Sequence, residues 1–307
     1  MYYFQAPQIM ELPLSHIRTL PLKNLYHPYG VEVSVLRLDE LHPLVSGNKW
    51  FKLHRYLQRA EQEGKQAVLT FGGAWSNHLL ATAAACREAG LKAGAIVRGE
   101  RPQQLSRTLT DAAALGLRLF FVSRSDYAAR IIPPEVLQGF PPTNTLIVPE
   151  GGYGPEGCAG AALIARQAAT GTYSHVLVAC GTGTTLAGLI TGFPPETDCS
   201  GIAVLRHAGL REETARLLPP ELRARLHIKS GFEEGGYARH TPALLRFMNH
   251  WYEETGIPSD FVYTGKLFYA ADQLIRRGHF ASGSRVLLVH TGGLQGNRSL
   301  PAGTLMF

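Results

Sequence analysis

Short apolar runs alternate with longer amphipathic stretches along almost the whole chain. Runs at Val31–Leu36, Ala67–Phe71, Ala93–Val97, Leu117–Val122, Thr145–Val148, His175–Ala179, Ile202–Leu205 and Arg285–Val289 predict strands. Between them, Ser76–Ala89, Gln103–Leu115, Asp126–Leu137, Pro155–Ala168, Thr184–Thr191, Pro242–Thr255 and Lys266–Arg277 predict helices. Strands separated by helices of this length imply an α/β protein with parallel sheets covered on both faces. So many units argue for two doubly wound open-sheet lobes rather than one. A closed eight-fold barrel is the topological alternative, and the uneven strand spacing disfavours it. Pro149–Pro155, rich in glycine, is a connection that either borders two lobes or enters a site.

One predicted helix begins with an unusual residue. In Gly47-Asn48-Lys49-Trp50-Phe51-Lys52-Leu53, Asn48 reads as an N-cap, and Phe51, Leu53, Leu57 and Ala60 form one apolar face. Lys49 therefore falls in the first turn, where the helix end carries partial positive charge and disfavours an ammonium. A neutral amine is the form that attacks a carbonyl carbon.

Three glycine-rich turns follow apolar strands. Phe71-Gly72-Gly73-Ala74-Trp75-Ser76-Asn77-His78 leads into an alanine-rich helix, with Ser76 as its N-cap and backbone N–H groups suited to a carboxylate. Ala179-Cys180-Gly181-Thr182-Gly183-Thr184-Thr185 combines turn glycines with hydroxyls, which suits a phosphate. It lacks the lysine of a nucleotide-binding P-loop and the spacing of a dinucleotide fingerprint, so a smaller phosphorylated cofactor fits better. Val289-His290-Thr291-Gly292-Gly293 is the third, and His290 at the strand end reads as a hydrogen-bonded structural residue. All three would lie at the carboxyl ends of strands, where open parallel sheets collect ligands.

Composition narrows the class. The 307 residues are 45% apolar and 18% charged, an ordinary globular balance. The net charge of +6 is scattered without a basic run, which argues against nucleic acid as a partner. Cys86, Cys158, Cys180 and Cys199 show no metal-type spacing, so no metal site is expected and a reducing compartment fits. Met1 to Leu14 carries no secretory pattern and no apolar run is long enough to span a bilayer, so the expectation is a cytoplasmic protein without a membrane partner.

Five segments occur together in a fixed order: Gly47-Asn48-Lys49, Gly72-Gly73-Ala74-Trp75-Ser76-Asn77, Gly181-Thr182-Gly183-Thr184-Thr185, Tyr263-Thr264-Gly265-Lys266 and His290-Thr291-Gly292-Gly293. In this the chain resembles the pyridoxal-phosphate-dependent 1-aminocyclopropane-1-carboxylate (ACC) deaminase and D-cysteine desulfhydrase family, of the tryptophan-synthase-β-like fold (fold type II). The resemblance runs from Val31 to Gly293. It implies pyridoxal 5'-phosphate as cofactor, a small amino-acid substrate and a homodimer. It also implies a large cofactor-binding domain of residues 1–51 plus 161–307 and a small α/β domain of residues 52–160.

The resemblance implies residue roles as well. Lys49 would carry the cofactor covalently and later move protons at the substrate carbons. Asn77 would meet the ring's phenolic oxygen, and Gly181, Thr182, Gly183, Thr184 and Thr185 would hold the phosphate. Ser76 would contact the substrate carboxylate, with Tyr263 and Tyr237 near the substrate. The deaminases of the family carry a glutamate where this chain has Thr264 and a leucine where it has Thr291; the desulfhydrases carry threonine at both. A threonine beside the pyridine nitrogen holds a proton less well than a carboxylate, which a good thiolate leaving group tolerates better than a cyclopropane does. The expected reaction is β-elimination from a small β-substituted amino acid, D-cysteine first, giving pyruvate, ammonia and hydrogen sulfide. ACC deamination, or cofactor binding without turnover, are the alternatives. His78 replaces the glutamine common after Ser-Asn, and Gln295-Gly296-Asn297 replaces apolar and aromatic residues.

Overall fold

The apolar runs become strands of two separate sheets. The computed structural model describes residues 17–168 and 172–307, and the reading of Met1 to Leu14 lies outside the described residues. The strands are β1 (Thr19–Pro21), β2 (Glu32–Arg37), β3 (Ala67–Gly72), β4 (Lys92–Arg98), β5 (Arg118–Val122), β6 (Thr145–Val148), β7 (His175–Cys180), β8 (Asp198–Ala203), β9 (His227–Lys229) and β10 (Arg285–His290). The first helices are α1 (Asn48–Gln62), α2 (Asn77–Glu88), α3 (Arg107–Ala114), α4 (Arg124–Ala128) and α5 (Pro134–Gly139). They are followed by α6 (Pro155–Ala162), α7 (Thr184–Gly192), α8 (Leu210–Arg216), α9 (Pro242–Thr255) and α10 (Thr264–Arg276).

One compact unit holds Pro43–Val45 and Lys49–Gly160. Its sheet has the order β5-β4-β3-β6 and is parallel throughout. β3 lies inside it, and all six of its residues are buried, as a strand covered on both faces requires. Phe71, Ile96, Tyr127, Val136 and Phe140 belong to its core, with the rings of Phe71 and Tyr127 edge to face at 6.1 Å. α2 is buried from His78 to Cys86. Its run of alanines keeps the packed surface smooth.

The other unit holds Ser46–Asn48 together with described residues from 17 to 42 and from 161 to 307. Its sheet has the order β1-β2-β10-β7-β8-β9, parallel except for the edge strand β1. β10 sits between β2 and β7, with Val286 opposite both Val33 and His175. Its core includes Val33, Leu177, Trp251, Phe268 and Leu288, with Trp251 stacked on Phe268 at 4.6 Å.

Three sequence expectations shift. The strand expected at Ile202–Leu205 runs earlier, as β8, because the small and polar residues Asp198, Cys199, Ser200 and Gly201 are themselves strand. Ser200 keeps its buried hydroxyl satisfied by donating to Asp198 Oδ1 (3.1 Å). The helix expected over Asp126–Leu137 is two short helices: α4 ends where Arg130 turns to a left-handed φ of 57, and Pro133 and Pro134 start α5. The helix expected over Pro155–Ala168 is α-helical only to Ala162 and tightens to 3-10 geometry over Leu163–Ala168. Among the described residues no helix is long and apolar enough to cross a membrane. The four cysteines are buried and in no disulfide, and burial pushes the Cys86 and Cys199 thiols up to about 12.

Candidate active site

The expected site residues fall into two groups, one on each unit. In the first unit Lys49 is the second residue of α1, half-buried, and no acidic side chain occupies that first turn to offset the helix end. Phe51, Leu53, Leu57 and Ala60 are buried beneath it and fix the helix in place. A second stripe of α1 holds the glycine-rich connection. Lys52 Nζ donates to Gly151 O (3.2 Å), Tyr56 Oη to Tyr153 O (2.7 Å), and Arg59 Nη1 to Glu156 Oε1 (2.5 Å).

Ser76 and Asn77 lie at the turn between β3 and α2. Ser76 stands at the N-cap position as expected, yet its side chain makes no cap hydrogen bond. The turn is tied down instead by Ser106 Oγ, which donates to Ala74 O.

His78 follows, buried against β3. Thr70 Oγ1 donates to Val148 O (2.8 Å), so it accepts from His78 Nε2–H (2.8 Å), and the imidazole is the Nε2–H tautomer. Burial, aided by the charges of Lys49 and Lys52, holds His78 well below its ordinary range. The folded state thus excludes a proton that the unfolded chain binds below about pH 6.5, and stability falls as pH drops through that value. Denaturant unfolding at about pH 7.5 and about pH 5.5 should show His78→Gln losing about 1.4 kcal/mol less than wild type. Equal losses would contradict the neutral, buried imidazole.

The second group is on the other unit. Gly181 to Thr185 link β7 to α7, with Thr184 as the first helical residue and Gly183 preceding it. Gly183 has φ +76, and a β-carbon there would collide with the Thr214 side chain. Thr182 Oγ1 and Thr184 Oγ1 share a hydrogen bond of 3.0 Å, and Asn48 Nδ2 donates to Thr185 Oγ1 (2.7 Å). Hydroxyls and a helix N-terminus with no acidic residue in its first turn form a donor set suited to a phosphate. Gly183→Ala is expected to weaken pyridoxal-phosphate binding by at least ~10-fold, since an αL alanine alone costs roughly 1–2 kcal/mol. Fluorescence titration of the apoprotein measures this, and unchanged affinity would remove the loop from the site.

Tyr263 packs its ring beside Gly181 and lies edge to face with Tyr237, centroids 6.4 Å apart. Thr264 opens α10 and is fully buried. Thr291, buried, accepts from Asn48 N (3.4 Å) through its carbonyl. Gly47 passes so close to that carbonyl that a β-carbon would clash with it, and its φ is +67. The first and last glycine motifs are therefore one packed feature. His290 is fully buried; its Nε2–H donates to Pro258 O (2.8 Å) and its Nδ1 accepts from Gly292 N (3.2 Å).

Beside the expected set, Asp260 escaped the sequence reading, and Lys266 entered it only as part of a motif, without a role. Asp260 holds the start of α10 through its carboxylate, and burial pushes it up against the pull of its Thr264 and Tyr263 hydrogen bonds. Lys266 Nζ donates to Val204 O (3.0 Å), Glu233 O (2.7 Å) and Gly236 O (2.7 Å), which anchors the segment before Tyr237. Burial pulls its amine down to about 8, opposed by Asp260, Glu234 and Glu233. An aspartate four residues ahead of a threonine at a helix start is a cap signal that could have revealed the first.

The chain belongs to the family of pyridoxal-phosphate-dependent enzymes, matching it over residues 11–292. It stands in the lyase group of ACC deaminases and D-cysteine desulfhydrases. It is 30% identical to a Pyrococcus horikoshii protein provisionally named ACC deaminase, over 90% of this chain and 88% of that protein. A D-cysteine desulfhydrase of Yersinia enterocolitica is 28% identical, covering 89% of each. The crystal structure of an ACC deaminase homologue superposes with a TM-score of 0.82 at 27% identity, covering 95% of this chain and 93% of that one.

Proposed function

We propose that this enzyme catalyses β-elimination from a small β-substituted amino acid, with D-cysteine as the substrate that the site suits best. The observation that carries the reading is the pair Thr264 and Thr291, which stand where deaminases of the family have glutamate and leucine. Pyridoxal phosphate, when bound, supplies the electron sink for the charge left at the substrate's α-carbon. The residues that would hold it are Lys49, Asn77, Gly181, Thr182, Gly183, Thr184 and Thr185, with Thr264 and Thr291 at the ring.

The chain's own work is binding and proton transfer. Backbone N–H groups at the start of α2, with the Ser76 hydroxyl, receive the substrate carboxylate. The Lys49 amine removes the α-proton, a role open to a first-turn lysine once it is neutral. Hydrosulfide then departs from the β-carbon as a stable anion and needs no strong acid. Tyr263 and Tyr237 form an aromatic wall beside the phosphate loop and limit the size of the β-substituent. Cysteine and water give pyruvate, ammonia and hydrogen sulfide in equal amounts.

Incubation with D-cysteine, L-cysteine and ACC separates the readings. Equimolar pyruvate and sulfide from D-cysteine supports the proposal, and 2-oxobutyrate from ACC would replace it with the deaminase. The proposed setting is a cytoplasmic homodimer, which four cysteines in no disulfide and the family suit. Sedimentation velocity would refute the dimer by giving a species of 33.5 kDa.

A further inference from the structure

The chain from Gly231 to Thr241 leads from β9 to α9 through turns, with no helix or strand of its own. Its backbone is held in a costly shape. Glu234 and Ala238 both have positive φ, 47 and 51, a region that a β-carbon makes unfavourable. Such residues persist only where their surroundings over-determine them. Three attachments do so here. Phe232 belongs to the sheet's core, Thr241 Oγ1 donates to Glu234 Oε2, and Lys266 Nζ donates to Glu233 O and Gly236 O, both at 2.7 Å. Lys266 is itself immobilised, fully buried on α10 and tied to Val204 O just past β8. The residue after the clamped Gly236 is Tyr237, which is 43% exposed and meets Tyr263 edge to face.

We propose that Lys266 is a positioning residue: by clamping this segment it sets where the Tyr237 ring stands, and so the largest β-substituent the enzyme admits. This rests on the reading above that Tyr237 and Tyr263 wall the substrate. Without the clamp the left-handed residues relax, and Tyr237 leaves its place against Tyr263. The clamp also depends on pH. An ammonium has three N–H bonds for three carbonyls, whereas a neutral amine has two. Burial brings the Lys266 amine down to about 8. Asp260, before α10, and Glu234 and Glu233, on the segment itself, all favour the charged form against it. One carbonyl therefore loses its donor as pH rises through about 8, and the size limit loosens there.

The test compares S-methyl-D-cysteine with S-benzyl-D-cysteine, which differ in bulk and carry the same ionising groups. Each is titrated into the holoenzyme, and binding is read from the cofactor's absorption, so no turnover is needed. Effects of pH on cofactor or ligand cancel in the ratio of the two affinities. Tyr237→Ala and Lys266→Met should each favour the benzyl ligand by about 10-fold over wild type, and the double variant by no more than either alone. Wild type should shift in the same direction between about pH 7 and about pH 9.5. Lys266→Arg, charged throughout, should hold a constant ratio. The wild-type series needs no Lys266 variant to fold. A ratio that moves in Tyr237→Ala, yet stays flat with pH in wild type and in any folded Lys266→Met, would overturn the proposal and leave the aromatic wall standing. A ratio unchanged in Tyr237→Ala would overturn both.

Discussion

Lys49→Ala is expected to lower turnover by about 10³-fold or more, because the residue that attaches the cofactor is also the one that moves the α-proton. A decrease of that size alone would not distinguish a lost base from a disturbed helix start. Covalent attachment does distinguish them. After borohydride reduction, mass spectrometry of wild type should find the cofactor fixed to Lys49, and Lys49→Ala should carry none. Lys52→Ala is the control. Its amine is one turn away and bound to Gly151 O, so that variant should keep the attachment. A cofactor still fixed in Lys49→Ala would assign the covalent role to another amine.

The second large effect concerns stability. Lys266→Met removes an ammonium whose hydrogen bonds reach three backbone carbonyls, at Val204, Glu233 and Gly236. Each buried carbonyl left without a donor costs about 1–3 kcal/mol, so the loss should be at least about 3 kcal/mol. For a chain of this size that corresponds to a fall in Tm of roughly 6–12 °C. Hydrogen exchange should quicken at residues 233–237 before it does elsewhere, since the pinned segment loses its anchor. A Tm within about a degree of wild type would mean that water or a shifted backbone replaces the ammonium at little cost.

What the sequence disclosed follows from which signals are local. Strands in the middle of a sheet carry unbroken apolar runs, so β3, β7 and β10 stand out. Edge strands need no such run, and β1 and β9, three residues each, left no mark. β8 was misplaced because its first four residues, Asp198 to Gly201, look like a turn. Gly201 is there because Leu186 and Cys180 occupy the space a side chain would need, a fact of tertiary packing. Lys49, Ser76 and the Gly181–Thr185 loop were legible because each sits at the junction of a recognisable element. Asp260 and Lys266 were not, since a buried charge and a solvated one are spelled with the same letters. Only the partners separate them, and for Lys266 these lie 30, 33 and 62 residues away.

The strand order has a consequence for synthesis. β2 ends at Arg37, while the partner on its inner side, β10, begins at Arg285. A ribosome making ~5–20 residues per second takes on the order of 10–50 s to cover that interval. For all of it, one flank of β2 has an unmatched row of backbone donors and acceptors. Residues 49–160 form a continuous stretch whose own sheet can close meanwhile. The nascent chain therefore passes through a long stage with one folded half and one half awaiting its middle strand, and chaperone protection matters most in that interval.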